Sequence, residues 1–120
     1  METPKIFESE YRFCLLLWEH EPINSTQLAA LGKEKLGWSK ATTYTVLRRL
    51  ADRGVLKNEN ATVTSLVTKQ EVQRSRLTEM VDETFEGSMP AFIAAFSHSK
   101  RLSKSEVDQL REMIDNYKEE

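Results

Sequence analysis

At 120 residues, 39% of them hydrophobic and 30% charged, the chain has room for one small domain, or for a small domain with a helical appendage. No run approaches the roughly 20 apolar residues that span a bilayer, the opening METPKIFESEYRF lacks the basic and apolar regions of a signal peptide, and the single Cys14 excludes an internal disulfide. A cytoplasmic protein with no membrane partner is expected. The net charge of −2 argues against nucleic acid only until its distribution is read: Trp38 to Lys57 holds Lys40, Arg48, Arg49, Arg53 and Lys57 against Asp52 alone, a local +4, while the stretch from Thr68 onward sums to −3.

The spacing predicts a first helix from about Ser9, as its cap, to His20. Phe7, Tyr11, Cys14, Leu15 and Trp18 are its expected buried face, and Glu21-Pro22 its end. Asn24 with Gln27 reads as a capping box. Ile23 and Leu28 flank it as a hydrophobic staple, opening a second helix that runs through Leu31 to about Leu36 and stops at Gly37.

Ser39 caps a third helix with Val46, Leu47 and Leu50 as its inward stripe, Thr43 beside them, and Gly54 as its stop. Val55-Leu56 and Thr62 to Val67 read as two extended segments, the second rich in β-branched residues, joined by a turn over Asn58, Glu59, Asn60 and Ala61. Three helices followed by a hairpin is the order of a winged helix-turn-helix.

Thr68 and Glu71 form a further capping box before a helix carrying Val72, Leu77, Met80, Val81 and Phe85. Gly87-Ser88 breaks the chain, Met89, Phe92, Ile93 and Phe96 mark a short apolar helix, and Ser103 with Glu106 opens a last one striped by Leu102, Val107, Leu110, Met113, Ile114 and Tyr117. The expected architecture is mostly α with a small β-hairpin: a winged helix-turn-helix DNA-binding domain over residues 1–67 and a helical dimerisation region over 68–120. The run Met89 to Phe96 is too apolar to stand in water. Burial against a second copy, through Leu77, Val81, Phe85, Met89, Phe92, Ile93, Phe96, Leu110 and Ile114, is favoured over folding back onto the first domain, because a dimer also suits the reading of a two-fold operator.

In a helix-turn-helix the first half of the second helix of the motif enters the major groove, where side chains must be polar or small. Ala41, Thr42, Tyr44, Thr45 and Arg48 fit that requirement. Methyl groups of Ala and Thr meet a thymine methyl, and an arginine reaches guanine O6 and N7. Ser39 and Lys40 stand where a helix N-terminus meets phosphate. Arg49, Arg53 and Lys57 are placed for backbone contact. Each has a plainer alternative: Ser39 as a cap only, Tyr44 as packing, Arg49 and Arg53 as partners of Asp52 or Glu59. Trp18, Trp38 and Cys14 read as core. One cysteine and two separated histidines give no metal-ligand spacing, and no phosphate loop or nucleophile-base grouping is visible, so neither a cofactor nor catalysis is expected.

These residues resemble the penicillinase-repressor family (the BlaI/MecI/CopY type) of bacterial winged-helix repressors over nearly the whole chain. The resemblance is carried by Glu10-Tyr11 through Leu17-Trp18-Glu19, by Trp38-Ser39-Lys40-Ala41-Thr42, Leu47-Arg48-Arg49-Leu50 and Arg53-Gly54-Val55-Leu56, by Gly87-Ser88 with Phe92-Ile93 and Phe96, and by Leu102-Ser103 through Leu110 and Ile114. It implies a homodimeric repressor of a two-fold-symmetric double-stranded DNA operator, controlling genes of β-lactam resistance or metal homeostasis. It also implies a regulatory protease as partner in one branch, cutting an Asn-Phe bond. Here the aligned pair is Ala95-Phe96, so the asparagine is absent. The copper branch uses a C-terminal cysteine cluster, which this chain lacks. Its wing turn has Glu59-Asn60-Ala61 where the family has Gly-Arg. A winged-helix protein-interaction module, an antirepressor or scaffold that binds no DNA, is the alternative from another class.

Overall fold

The structure, a computed structural model, describes residues 2–118. Its elements are α1 (Glu8–His20), β1 (Ile23–Asn24), α2 (Ser25–Leu36), α3 (Lys40–Asp52), β2 (Leu56–Glu59), β3 (Thr62–Ser65), α4 (Lys69–Phe85), α5 (Met89–Ser99) and α6 (Lys104–Asp115). The chain divides into two compact units whose boundary, between Leu77 and Thr78, falls inside α4.

In the first unit α1 begins earlier than its sequence suggested. Phe7, not Ser9, is the N-cap residue, because the Glu10 carboxylate reaches back to accept from the Phe7 N–H at 2.9 Å. The buried face is correspondingly rotated: Phe13, Cys14 and Leu17 are sealed, Tyr11, Leu15 and Trp18 are half-buried, and Phe7 is exposed. The expected stripe therefore held Cys14 but missed Phe13 and Leu17.

The starts and stops of α2 and α3 are local chemistry. The Asn24 side chain accepts from the Thr26 N–H at 2.8 Å. Gly37, at φ 71°, turns the chain so that its own N–H meets the Lys33 carbonyl while the Trp38 N–H meets that of Gly32. Two residues later Ser39 caps α3, accepting from the Thr42 N–H at 3.1 Å. Thr43, Val46, Leu47 and Leu50 form the buried stripe of α3 as the spacing predicted. Gly32 is the point of closest approach between α2 and α3: a β-carbon there would lie 2.9 Å from Thr43 Oγ1. Only glycine lets the helices meet at that separation.

The sheet is a three-stranded antiparallel one, ordered β1-β3-β2. Its hairpin turn is tighter than expected. Only Asn60 and Ala61 lie between the strands, both at positive φ (51° and 64°), the conformation a two-residue hairpin of right-handed twist demands. An alanine is held there because its carbonyl accepts from the Ser25 N–H at 2.8 Å, satisfying a free donor at the start of α2. The third strand, β1, was not foreseen: Ile23 and Asn24, read as staple and cap, also pair with Val63 and Thr62. The Glu21 carboxylate that follows α1 accepts from the Ser65 N–H and hydroxyl. Phe13, Leu17, Leu28, Leu47, Leu50, Val55, Leu56, Val63 and Val72 make one continuous core, with Trp38 stacked on Phe13 at 5.4 Å. Val72 belongs to α4, whose first turns are thus part of this unit. Thr68 caps them through the Glu71 N–H.

In the second unit Ser88 caps α5 by accepting from the Ala91 N–H, with Pro90 in the first turn where its missing donor costs nothing. Ser103 and Glu106 complete a reciprocal capping box on α6, and the Ser103 N–H and hydroxyl hold the Glu106 carboxyl below the usual range. Phe85 and Phe92 meet edge to face at 5.8 Å, and Phe92 lies 6.3 Å from Phe96.

Cys14 is 1% exposed, and burial first, then the nearby Glu10 charge, pushes its thiol from 9.0 up to about 12, against a smaller opposing pull from Arg53. The fold accommodates the protonated form. Its contribution is therefore intact below pH 9 and is lost as pH rises toward the native value, because the unfolded chain releases this proton first. Native protein at pH 8 is expected to react with Ellman's reagent far more slowly than urea-unfolded protein; equal rates would show that the thiol is open to solvent.

Candidate nucleic-acid interface

The cap at Ser39 and the buried stripe of α3 fix which of its residues look outward. Lys40, Ala41, Thr42, Arg48 and Arg49 are exposed, and Thr45 is half-exposed beside them. Ser39 is exposed too, but its hydroxyl is engaged with the backbone and side chain of Thr42. α3 has no acid in its first turn, and neither has α2, so the positive ends of both helix dipoles are uncompensated by carboxylates. Among the described residues, Arg48 and Arg49 have no ion-pair partner. Lys40 lies 6.0 Å from the Tyr44 ring, a loose contact that leaves its ammonium in water.

Tyr44 is only half available. Its ring packs against the core, and hydrogen bonding with Ser25, then Thr26, with Lys40 adding a smaller effect, holds its hydroxyl below the usual phenol value. It thus faces the start of α2 and is half-buried.

Arg53 is placed differently from its sequence expectation. Its guanidinium pairs with the Glu10 carboxylate, donates to the Lys5 carbonyl at 2.9 Å and lies 5.3 Å from the Phe7 ring. Its side chain is 29% exposed and that of Glu10 only 7%. A cation so engaged anchors the end of α3 rather than standing free for a phosphate. Lys57, on β2, is exposed but sits 3.6 Å from Glu59, whose opposite charge partly offsets it at the wing. Among the described residues no group of three or more His, Cys, Asp or Glu is arranged to hold a metal, and no helix is long and apolar enough to cross a membrane.

The residues expected to pair two copies stand as follows. Met89, Ile93, Phe96, Leu110 and Ile114 of the second unit are exposed, as is Leu77 at the end of the first. Phe85 and Phe92 are half-buried against each other, and Val81 is buried. Met113 and Tyr117 add to the exposed apolar surface of the second unit, at 67% and 74% exposure. The sequence placed both on the stripe of the last helix without assigning them a role.

The arrangement of α1 to α3 with the β2–β3 hairpin, and a third helix whose buried stripe leaves a basic outer face, defines a winged helix-turn-helix of the transcription-regulator class. The profile of the Penicillinase repressor family matches residues 6–116, and the chain belongs to that family. Its members are transcriptional regulators, not enzymes. The chain is 23% identical to the penicillinase repressor of Bacillus licheniformis over 122 residues, covering 98% of this chain and 94% of that one. It is 20% identical to the methicillin resistance regulatory protein MecI of Staphylococcus aureus, over 94% of this chain and 95% of the other. The solution structure of the DNA binding domain of the repressor BlaI superposes with a TM-score of 0.51 and 26% identity, over 59% of this chain and 93% of that domain.

Two arginines of the same region, Arg49 and Arg53, should respond unequally to truncation. Arg53→Ala leaves the Glu10 carboxylate buried without its partner and is expected to cost about 2–3 kcal/mol of unfolding free energy. Arg49→Ala, on an exposed and unpaired side chain, should stay within about 0.5 kcal/mol. Urea unfolding of both variants checks the contrast; equal effects would show that the Glu10 pair anchors nothing.

Proposed function

We propose that the chain is a homodimeric repressor that binds a two-fold-symmetric double-stranded DNA operator in the cytoplasm. The outer face of α3 lies in the major groove, and the exposed apolar helices of the second unit pair two copies. The observation that carries this reading is the outer face of α3: basic, without ion-pair partners at Arg48 and Arg49, and backed by a fully buried stripe. The similarity to a DNA binding domain of a repressor supports it.

In this reading Ala41, Thr42, Thr45 and Arg48 meet base edges, with the half-buried Tyr44 beside them. The α3 N-terminus with Ser39 and Lys40 meets phosphate, and Arg49 meets the backbone. Lys57 contributes weakly because Glu59 is beside it. Arg53 acts through the position of α3. Met89, Ile93, Phe96, Leu110 and Ile114 supply apolar area for the dimer, joined by Leu77, Phe85 and Phe92. The regulated genes are those of β-lactam resistance or metal homeostasis. A regulatory protease acting at Ala95-Phe96 would have to accept alanine before the cut, and metal has no cysteine cluster to act on in the C-terminal part.

A gel shift against the region upstream of the chain's own gene tests the reading. Binding is expected, with an affinity that falls as salt rises by about 0.9 log units per log unit of salt for each phosphate neutralised. Arg48→Ala should cost about 1–3 kcal/mol on the specific site and far less on random DNA. Absence of binding at low salt would instead favour a winged-helix protein-interaction module. Unchanged affinity of Arg48→Ala on the specific site would mean that another face reads the bases.

A further inference from the structure

Gly32 stands in the interior of α2, where glycine is among the poorest residues because its backbone loses the most freedom on folding. The turn geometry that explains Gly37, Gly54 and Gly87, all at positive φ, does not apply to it. What Gly32 meets is Thr43 of α3: a β-carbon added to it would lie 2.9 Å from Thr43 Oγ1. Real β-carbons essentially never come that near, so a side chain at this position forces something to move.

Thr43 is badly placed to give way. It is 0% exposed, and branching at its β-carbon leaves it few staggered positions. Its hydroxyl has no hydrogen-bond partner among the described residues, so the contact with Gly32 is one of shape. The backbone around the pair closes into a ring. The Gly32 carbonyl accepts from the Trp38 N–H at 3.2 Å, Ser39 follows and caps α3, and the Ser39 carbonyl accepts from the Thr43 N–H at 3.1 Å. Trp38 is itself stacked on Phe13 of α1. A turn tied in this way has little slack, so an added side chain parts the helices. With the far end of α3 held by the Arg53–Glu10 pair, that parting becomes a tilt of α3 against α2. In helix-turn-helix docking the second helix of the motif lies in the groove while the first crosses the backbone, so the separation of the two is part of the fit.

We infer that Gly32 is a positioning residue for operator reading: by meeting Thr43 without a side chain, it sets the separation of α2 and α3 at which the outer face of α3 seats in the groove. This rests on the DNA-binding reading above and needs no dimer. It assigns Gly32 and Thr43, both buried, no contact with DNA.

Fluorescence anisotropy of full-length variants tests it, with the duplex from upstream of the gene and a random-sequence duplex of equal length, the folded fraction being fixed by urea unfolding. Gly32→Ala should bind the upstream duplex about tenfold more weakly, the worth of one good base contact, while its electrostatic affinity for random duplex changes little. Gly32→Ala combined with Thr43→Ala removes the opposing oxygen and should recover most of the lost affinity. Thr43→Val alone keeps the shape without the hydroxyl and should bind both duplexes as the wild type does. Unchanged binding of the upstream duplex by folded Gly32→Ala overturns the inference. So does an equal loss on both duplexes, which would make Gly32 a residue of general stability. A double variant that folds yet binds the upstream duplex weakly overturns it too, whether or not Gly32→Ala folds alone. A wild type that binds neither duplex, or both alike, would remove the operator reading itself, and this inference with it.

Discussion

The Glu10 carboxylate is the interaction on which the placement of α3 depends. One oxygen caps α1 by accepting from the Phe7 N–H, and the other pairs with Arg53 at the far end of α3. A carboxylate that is 7% exposed pays heavily for its lost hydration unless both oxygens are satisfied. Here both are, one by a backbone N–H three residues before it and the other by an arginine 43 residues after it. The start of the first helix and the end of the third are thereby fixed to each other. At its other end α3 is set by the Ser39 cap and by its close approach to α2 at Gly32. A helix held at both ends and along one buried stripe has its outer face determined. That outer face is the surface the family reading needs.

The same economy explains the wing. Ala61 occupies a left-handed conformation that alanine ordinarily avoids, at a cost of about 1–2 kcal/mol. The bond from the Ser25 N–H to its carbonyl offsets part of that cost and joins the hairpin turn to the start of α2. The Glu21 carboxylate does similar service at the other end of β3, through Ser65. The hairpin is therefore tied at both ends to the helical part, although its tip carries little free positive charge. Attachment and free charge are separate matters in this wing: the backbone is pinned, while Lys57 is offset by Glu59.

Features set by neighbouring residues were legible in the chain. Caps at Asn24, Ser39, Thr68 and Ser103 each need only a side chain and a backbone N–H two or three residues on, and all four form. The inward stripe of α3 followed from spacing alone, and so did the mostly helical winged-helix order. Features set at a distance were not legible. β1 is two residues long, too short for any periodicity, and exists because β3 passes beside it. Nothing near Glu10 in sequence announces Arg53. Arg53 in turn looked like one more base in a basic run. Tyr44 shows the intermediate case: its position in α3 was clear, but its placement beside Ser25 and Thr26 depends on how two helices pack.

The central claim is that the outer face of α3, between Lys40 and Arg49, is the surface that meets DNA. Nuclear magnetic resonance of isotope-labelled protein, titrated with a duplex from the region upstream of its gene, tests it residue by residue. The account predicts that the largest amide shift changes fall on Ser39, Lys40, Ala41, Thr42, Thr45, Arg48 and Arg49, with the wing strands responding weakly. Changes centred on α5 and α6, with α3 unmoved, would contradict it.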